Sequence, residues 1–267
     1  MQVDGPLQNL WQFRTEGVAK MCLRFGYFLY SDGKASVGKR FECIAVNSYT
    51  EIFGTNDSRT LTAMNNLAST YRSLGQMNEA AELHEKVLEA RQSTLGMEHP
   101  DTLTCINNLA STYWSLGQMN EAAELHEKVL EARQRTLGME HPDTLTGMNN
   151  LASTYWSLGQ MNEAAELHEK VLEARQRTLG MEHPATLSSM YNLATTYWEL
   201  SRSEDAIHLF RAELTKCHNH YGAHHKDTVA SCMNLIGKYH EVGLVAEAEG
   251  LLTQYLESLS TEERNVM

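Results

Sequence analysis

Apolar residues recur at intervals of three and four along two neighbouring segments in the middle of the chain. In the first segment they are Leu103, Ile106, Leu109, Ala110 and Tyr113. In the second they are Ala122, Leu125, Val129, Leu130 and Ala132. This spacing places each set on one side of a helix with about 3.6 residues per turn. We therefore predict two amphipathic helices, one over Asp101 to Leu116 and one over Asn120 to Leu137.

The residues at the predicted helix ends suit their positions. Pro100 fits a first helical turn, where an N–H group would have no partner within the helix, and Asp101 suits the positive end of the helix dipole. Gly117 is expected to end the first helix. Asn120 is expected to cap the second helix with its side chain, and Gly138 fits the position just after that helix ends.

The same pattern is repeated along the chain with a period of 42 residues, the separation of His99 and His141. Residues 97–138 and 139–180 differ only at Cys105/Gly147 and Ile106/Met148. A copy at a fixed step indicates one structural unit stacked on itself. The frame extends in both directions and predicts about six helix pairs. We divide the chain into a lead-in (Met1 to Gln12) with a degenerate first repeat (together 1–54), four regular repeats (55–222) and a divergent C-terminal capping repeat and tail (223–267).

Composition narrows the classes of function. The chain has 22 basic and 34 acidic residues, a net charge of −12, which argues against a surface for nucleic acid or anionic membrane. No early apolar run is long enough to span a bilayer. The cysteines are odd in number and out of register with the repeat, which favours reduced thiols and a cytoplasmic protein. They are Cys22, Cys43, Cys105, Cys217 and Cys232.

The charges are unevenly divided between the two predicted helices of the central repeat. The first helix has one, Asp101. The second has seven: Glu121, Glu124, Glu127, Lys128, Glu131, Arg133 and Arg135. We therefore predict that the second helices present a solvated, charged outer face. The first helices would present a nearly neutral face of Asn, Ser, Thr and Trp.

These features resemble the tetratricopeptide repeat in its long, 42-residue form, as found in kinesin light chains. The residues that carry the resemblance are Leu109-Ala110-x-x-Tyr113-x-x-x-Gly117, Glu121-Ala122, Leu137-Gly138 and His141-Pro142-Asp143-Thr144. The phrase HPDTLT-x-x-NNLASTYW is most similar to the repeat arrays of fungal NLR-like receptors. The resemblance covers residues 55–222 strongly. It implies an all-α, right-handed solenoid of stacked helix-turn-helix repeats whose first helices line a concave groove.

The resemblance also implies which residues bind a partner. One asparagine in each of five repeats matches the family position that holds a peptide backbone, a task that suits an amide because it both donates and accepts hydrogen bonds. These are Asn66, Asn108, Asn150, Asn192 and Asn234. The alternative is that they fill polar space between repeats. Trp114, Trp156 and Trp198, with Arg72 in the same repeat position, are either a contact surface or packing between first helices.

Three candidate chemical sites are weak. Residues 33–40 (GKASVGKR) have the spacing of a phosphate-binding loop, but Arg40 stands where Ser or Thr should hold magnesium. Histidines that recur once per repeat are too far apart for one metal ion. The dense set Cys217, His218, His220, His224 and His225 lies at a repeat junction, so we interpret it as structural. We predict no catalysis, cofactor or metal.

The predicted function is that of a scaffold that binds a protein or peptide segment in the groove. Because basic groove residues are missing apart from Arg72, a neutral or aromatic-containing segment is expected. Two alternatives are the ligand-sensing array of a larger NLR-like multidomain receptor and a kinesin-light-chain-like cargo adaptor. A third, from a different class, is a nucleotide-binding enzyme built on the first repeat.

Overall fold

A computed structural model of the chain describes the backbone of residues 15–266 and the side chains of residues 15–259. The predicted lead-in, residues 1–12, lies outside the described residues. Within them the chain forms twelve helices and no strand, in agreement with the all-α prediction. Among the described residues the helices fall into two compact units, one up to residue 132 and one from residue 133, and the division lies inside the sixth helix.

The first unit contains five whole helices and most of a sixth. They are α1 (Glu16–Ser31), α2 (Ala35–Phe53), α3 (Ser58–Ser73), α4 (Met77–Leu95), α5 (Pro100–Ser115) and α6 (Met119–Leu137). The second unit contains α7 (Pro142–Ser157), α8 (Met161–Leu179), α9 (Pro184–Glu199), α10 (Ser203–Tyr221), α11 (Lys226–Glu241) and α12 (Val245–Val266). First helices of 16 residues alternate with second helices of 19 residues as far as α11.

Small residues allow the two helices of a pair to approach closely. Ala110 in α5 and Ala122 in α6 are completely buried, which suits a close crossing of the two helices. In the first pair the corresponding residues are Gly26 and Gly38. A Cβ atom on Gly26 would lie 2.6 Å from Cγ of Glu42, so only glycine fits this crossing.

Histidine caps the first helix of most pairs. The ring nitrogen Nδ1 of His99 accepts a hydrogen bond from the backbone N–H of Asp101 (3.2 Å), and Pro100 occupies the first helical turn. His141, His183 and His225 make the same contact in their own repeats, and Asp57 takes this role in α3. The histidines at these junctions therefore serve as helix caps.

The predicted role of Asn120 as a helix cap is wrong. Helix α6 begins at Met119, so Asn120 lies inside the first turn. The cause is the preceding turn, in which Gly117 has a φ of 82° and the N–H of Gln118 donates to the carbonyl of Tyr113 (2.9 Å). This bond ends α5 and leaves the next helix to begin directly afterwards.

At the junctions α4/α5 and α8/α9, a buried histidine and an arginine of the second helix contact the first helix that follows. The Nδ1 atom of His84 in α4 lies 3.0 Å from the hydroxyl oxygen of Thr112 in α5. The Nδ1 atom of His168 in α8 lies 3.0 Å from the hydroxyl oxygen of Thr196 in α9. The arginines reach across as well: Arg133 donates to the backbone carbonyl of Asp143 (2.9 Å). The prediction that Arg133 belongs to the solvated outer face is therefore wrong, since the residue is buried at the junction.

Candidate peptide-binding face

The open side of a first helix is neutral and carries hydrogen-bonding groups. In α5 it comprises Thr104, Asn107, Asn108, Ser111, Trp114 and Ser115, all half-buried or exposed. The hydroxyls of Thr104, Ser111 and Ser115 each donate to the backbone carbonyl four residues earlier, at 2.9–3.0 Å. Their hydroxyl oxygens are then oriented as acceptors. Asp101 is the one charged residue of this helix.

The predicted asparagines take part in contacts between neighbouring first helices. The side-chain N–H of Asn108 donates to the side-chain oxygen of Asn65 (3.0 Å), and Asn192 donates in the same way to Asn149 (2.9 Å). These bonds support the alternative in which the amide fills polar space between repeats. They use one of the two N–H donors of each amide. Both residues are half-buried, so part of each amide also meets solvent.

The other three predicted asparagines are also half-buried on first helices: Asn66 in α3, Asn150 in α7 and Asn234 in α11. The side-chain N–H group of Asn234 is buried and has no hydrogen-bond partner among the described residues. At the position that would supply one, 43 residues earlier, the chain has Tyr191 instead of asparagine. The asparagine pairs therefore stop at the last first helix.

The tryptophans differ in exposure. Trp114 and Trp156 are 41% and 36% exposed, respectively, so each indole presents part of its surface to solvent. Trp198 is more buried, and the ammonium group of Lys238 in α11 lies 4.4 Å from its ring centre. Trp198 therefore contributes a cation–π contact between neighbouring first helices. Arg72 lies half-buried in the last turn of α3.

The tyrosines that precede Trp114 and Trp198 link their helices to the preceding second helix. The hydroxyl of Tyr113 donates to the carboxylate of Glu85 (2.8 Å), and that of Tyr197 donates to Glu169 (2.6 Å). Burial, followed by the neighbouring carboxylate, raises the pKa of both hydroxyls to about 12. Both hydroxyls therefore stay protonated at neutral pH. Their hydrogen bonds hold the tyrosine side chains in place at the edge of the open face.

The weak chemical candidates have structural explanations. Gly33 and Lys34 lie in the turn after α1 and residues 35–40 begin α2, so the strand that precedes a phosphate-binding loop is replaced by a helix. Cys217 is buried, and its thiol donates a hydrogen bond to the carboxyl group of Glu213. The rings of His220 and His225 pack against the ring of Tyr221. Among residues 15–259, no three side chains of metal-binding type converge on one point. Within that part of the chain, no helix is both long and apolar enough to cross a membrane.

Sequence reasoning missed the first asparagine of each Asn-Asn pair. Asn65 and Asn149 accept hydrogen bonds from the amides of the next repeat, and Asn65, Asn107 and Asn149 each lie seven residues before the position of the tryptophan or arginine. A separation of seven places two residues on the same side of a helix. That spacing was visible in the sequence and would have added this column to the open face.

Comparison with family profiles finds the tetratricopeptide repeat at residues 59–135, 102–177 and 143–217. These overlapping matches span residues 59–217, more than half of the 267 residues. The chain belongs to the tetratricopeptide repeat family. This repeat is a non-catalytic scaffold fold that is typical of protein–protein interaction, and the predicted family and all-α solenoid class are confirmed.

Solved structures point to the same repeat type. A Podospora anserina protein assigned to kinesin light chains, with nearly identical tetratricopeptide-like repeats, has a TM-score of 0.67 and 29% identity over 78% of this chain and 99% of that one. BtubC (BKLC) from P. vanneervenii has a TM-score of 0.67 and 20% identity over 97% of this chain and 93% of that one. The apo form of RapI has a TM-score of 0.66 and 14% identity over 91% and 64%. The last two support the fold alone. Comparison with curated protein sequences gives no significant match.

Proposed function

We propose that the open faces of the first helices bind an extended segment of another protein. The observation that carries the proposal is the uncharged, hydrogen-bonding surface that α5 and α7 repeat almost residue for residue. Amides and hydroxyls at a regular spacing match the regular donors and acceptors of a peptide backbone, and exposed indoles match its side chains. The family's association with protein–protein interaction supports this function.

The chemistry of the face favours a neutral or aromatic-containing segment. The helices α5 and α7 carry one charged residue each, Asp101 and Asp143, both in the first turn. An acidic segment would need basic groups, and Arg72 and Lys238 are separated along the array. The net charge of −12 opposes binding to nucleic acid. Free cysteines among the described residues suit the reducing cytoplasm.

The test is a selection of peptides from a random displayed library on the whole chain. The variant Asn108→Ala/Asn192→Ala removes one amide from each unit. A matched control, Glu124→Ala/Glu166→Ala, removes two exposed carboxylates from the second helices. Leaving peptide groups unpaired costs about 1–3 kcal/mol, so we expect the asparagine variant to bind selected peptides about tenfold or more weakly. Circular dichroism checks that both variants fold.

Tryptophan fluorescence gives a second readout for the same peptides. Binding on the open face should shift the emission of Trp114 and Trp156 because a bound segment removes water from the exposed indoles. Peptides that bind both variants with the wild-type affinity and leave the emission unchanged would place the binding site elsewhere. The role of such a scaffold, as a cargo adaptor or as the sensing array of an NLR-like receptor, follows from the segment selected.

A further inference from the structure

The junction between α10 and α11 departs from the others at two buried positions. Arginine occupies one of these positions in the three preceding junctions, as Arg91, Arg133 and Arg175, and Cys217 replaces it here. Valine occupies the other position, as Val87, Val129 and Val171, and Glu213 replaces it here. The last junction has therefore lost a buried cation and gained a buried carboxyl group.

The preceding junctions show what the lost guanidinium would contact. Arg91 donates to the backbone carbonyl of Asp101 (3.0 Å), to the sulfur of Cys105 (3.3 Å) and to the hydroxyl of Thr62 (3.2 Å). Arg175 donates to the carbonyl of Ala185 (3.0 Å) and to the hydroxyl of Ser189 (2.8 Å). The guanidinium thus links one second helix to the first helices on either side of it.

The acceptors for a guanidinium remain at the last junction although the arginine is gone. Ser188, Asp227 and Ser231 occupy the positions of Thr62, Asp101 and Cys105, respectively. All three line a cavity of about 350 Å³ together with Glu213. The cavity also includes Tyr191 and Asn192, which belong to the open face of α9, so it opens onto the proposed peptide-binding face.

Glu213 supplies a buried carboxyl group to this cavity. It is only 5% exposed. One carboxyl oxygen accepts from the hydroxyl of Ser231 (2.8 Å) and the thiol of Cys217 (3.0 Å). The other oxygen is buried and has no hydrogen-bond partner among the described residues. A buried carboxyl oxygen without a donor is costly, and a cation with N–H groups would relieve that cost.

Burial also affects the titration of these groups. It raises the pKa of the Glu213 carboxyl, with Asp227 adding to the rise, while its hydrogen bonds from Cys217 and Ser231 oppose it. Burial and the neighbouring carboxyl raise the pKa of the Cys217 thiol to about 12, so the thiol stays protonated as a donor. A bound cation would favour the ionised carboxylate, so binding should release a proton where Glu213 is protonated in the free chain.

We propose that the cavity at the α10/α11 junction binds a guanidinium group, supplied by an arginine side chain of the segment bound on the adjoining open face. The source of the arginine rests on the proposed function, whereas the guanidinium site itself does not. A planar guanidinium has several N–H groups that can address separated acceptors at once, as Arg91 does, whereas an ammonium is a more compact donor. Tyr191 at the rim, 41% exposed, offers an aromatic face to the same cation.

The first test titrates the whole chain with N-acetyl-arginine amide, followed by the backbone NMR signals of Glu213 and Ser231. The matched probe is N-acetyl-citrulline amide, which has the same shape without the charge. We expect saturable shifts with the arginine probe and at least tenfold weaker binding of the citrulline probe. No saturable shift with the arginine probe, or equal binding of both probes, would overturn the proposal.

Variants connect the binding to the proposed residues. Glu213→Gln should weaken binding of the arginine probe at least tenfold, while Glu204→Gln, an exposed residue in the first turn of α10, should leave it unchanged. Cys217→Arg restores the residue of the preceding junctions, so it should fill the cavity, raise the melting temperature and abolish probe binding. Wild-type affinity in both cavity variants would refute the site.

A final comparison distinguishes a free arginine compound from the arginine of a bound segment. A neutral peptide with one central arginine should bind at least tenfold more tightly than the arginine probe, and Asn150→Ala, on the open face of α7 and outside the cavity lining, should remove that advantage. If the peptide binds no more tightly than the probe while both depend on Glu213, the guanidinium site is supported and the peptide-binding face is wrong. If the peptide depends on Asn150 but not on Glu213, the peptide-binding face is supported and the guanidinium site is wrong.

Discussion

Acidification from pH 7 to pH 5 is expected to destabilise the chain through its buried histidines. His168 is 3% exposed. Its Nδ1 atom lies 3.0 Å from the hydroxyl of Thr196, and its Nε2 atom has no hydrogen-bond partner among the described residues. Burial, followed by the charge of Arg175, lowers the pKa of this imidazole from 6.5 to about 4. His84 and His126 are shifted to the same value, mainly by burial.

The sign and size of the effect follow from these pKa values. The folded state prefers the neutral ring, whereas the unfolded chain takes up a proton once the pH falls below 6.5. The contribution of each buried neutral histidine to the free energy of unfolding is therefore fully present above pH 6.5, and it is lost as the pH falls towards 4. The value pH 5 lies about 1.5 units below the pKa of histidine in the unfolded chain. Each buried histidine therefore lowers the free energy of unfolding at pH 5 by about 2 kcal/mol.

The variant His168→Phe isolates this effect from all other titrating groups. The chain itself has Phe210 at the corresponding position of α10, where it is completely buried, so the phenyl ring fits this environment. Buried carboxyl groups such as Glu42 and Glu213, whose pKa values are raised, are present in both proteins and cancel in the comparison. Between pH 7 and pH 5 the wild type should lose about 2 kcal/mol more than the variant.

The measurement is urea unfolding at pH 7, 6 and 5, followed by circular dichroism. The free energy of unfolding is extrapolated to zero denaturant with a model that allows repeats to unfold in steps. NMR titration of the His168 ring in the folded chain gives its pKa directly. Parallel loss of stability in both proteins, or a folded-state pKa near 6.5, would refute the reasoning.

Three further predictions concern the backbone, each measured by thermal or urea unfolding. Gly26→Ala should destabilise the first pair because its Cβ would collide with a buried side chain of α2, whereas Gly237→Ala, with open space around it, should stabilise by about 1 kcal/mol. Ser201→Gly should stabilise by about 1 kcal/mol, because Ser201 has a φ of 60° at a turn position that is glycine in other repeats. His183→Ala should cost about 1 kcal/mol by removing a helix cap, whereas His183→Asp should retain the cap, as Asp57 does in α3. The structural explanation would be contradicted if Gly237→Ala were less stable than Gly26→Ala, or if His183→Asp were less stable than His183→Ala.

Local sequence information was sufficient for the helix pairs. The apolar spacing in residues 101–137, together with Pro100, Gly117 and Gly138, located the ends of α5 and α6 to within one residue, because each signal acts over one or two helical turns. The error at Asn120 arose where two local signals competed. The turn after Gly117 fixes where the next helix begins, and this overrides the capping preference of asparagine.

Contacts between repeats were harder to predict, because they join residues far apart in the sequence. Arg133 looked like a surface residue within its own helix and is buried by the next one. The bond from Asn108 to Asn65 spans 43 residues, so a single helix gives no sign that the amide has a partner. For the same reason, the replacement of the repeat arginine by Cys217 could not be interpreted from one helix. Its consequence depends on hydrogen-bond acceptors in two other helices.

The regular junctions have a consequence for how the length of such a chain can change. The histidine of α4 meets a threonine of α5, and that of α8 meets a threonine of α9, with the same geometry. If residues 97–138 were lost, α4 would pack against α7. Helix α7 has a threonine at the position that meets the histidine of α4 and a backbone carbonyl at the position that meets the arginine of α4. A recombination event that adds or removes whole 42-residue segments in this region therefore yields a junction with matching partners and needs no compensating substitution. The near-identity of the central copies is thus compatible with recent exchange among them at little structural cost.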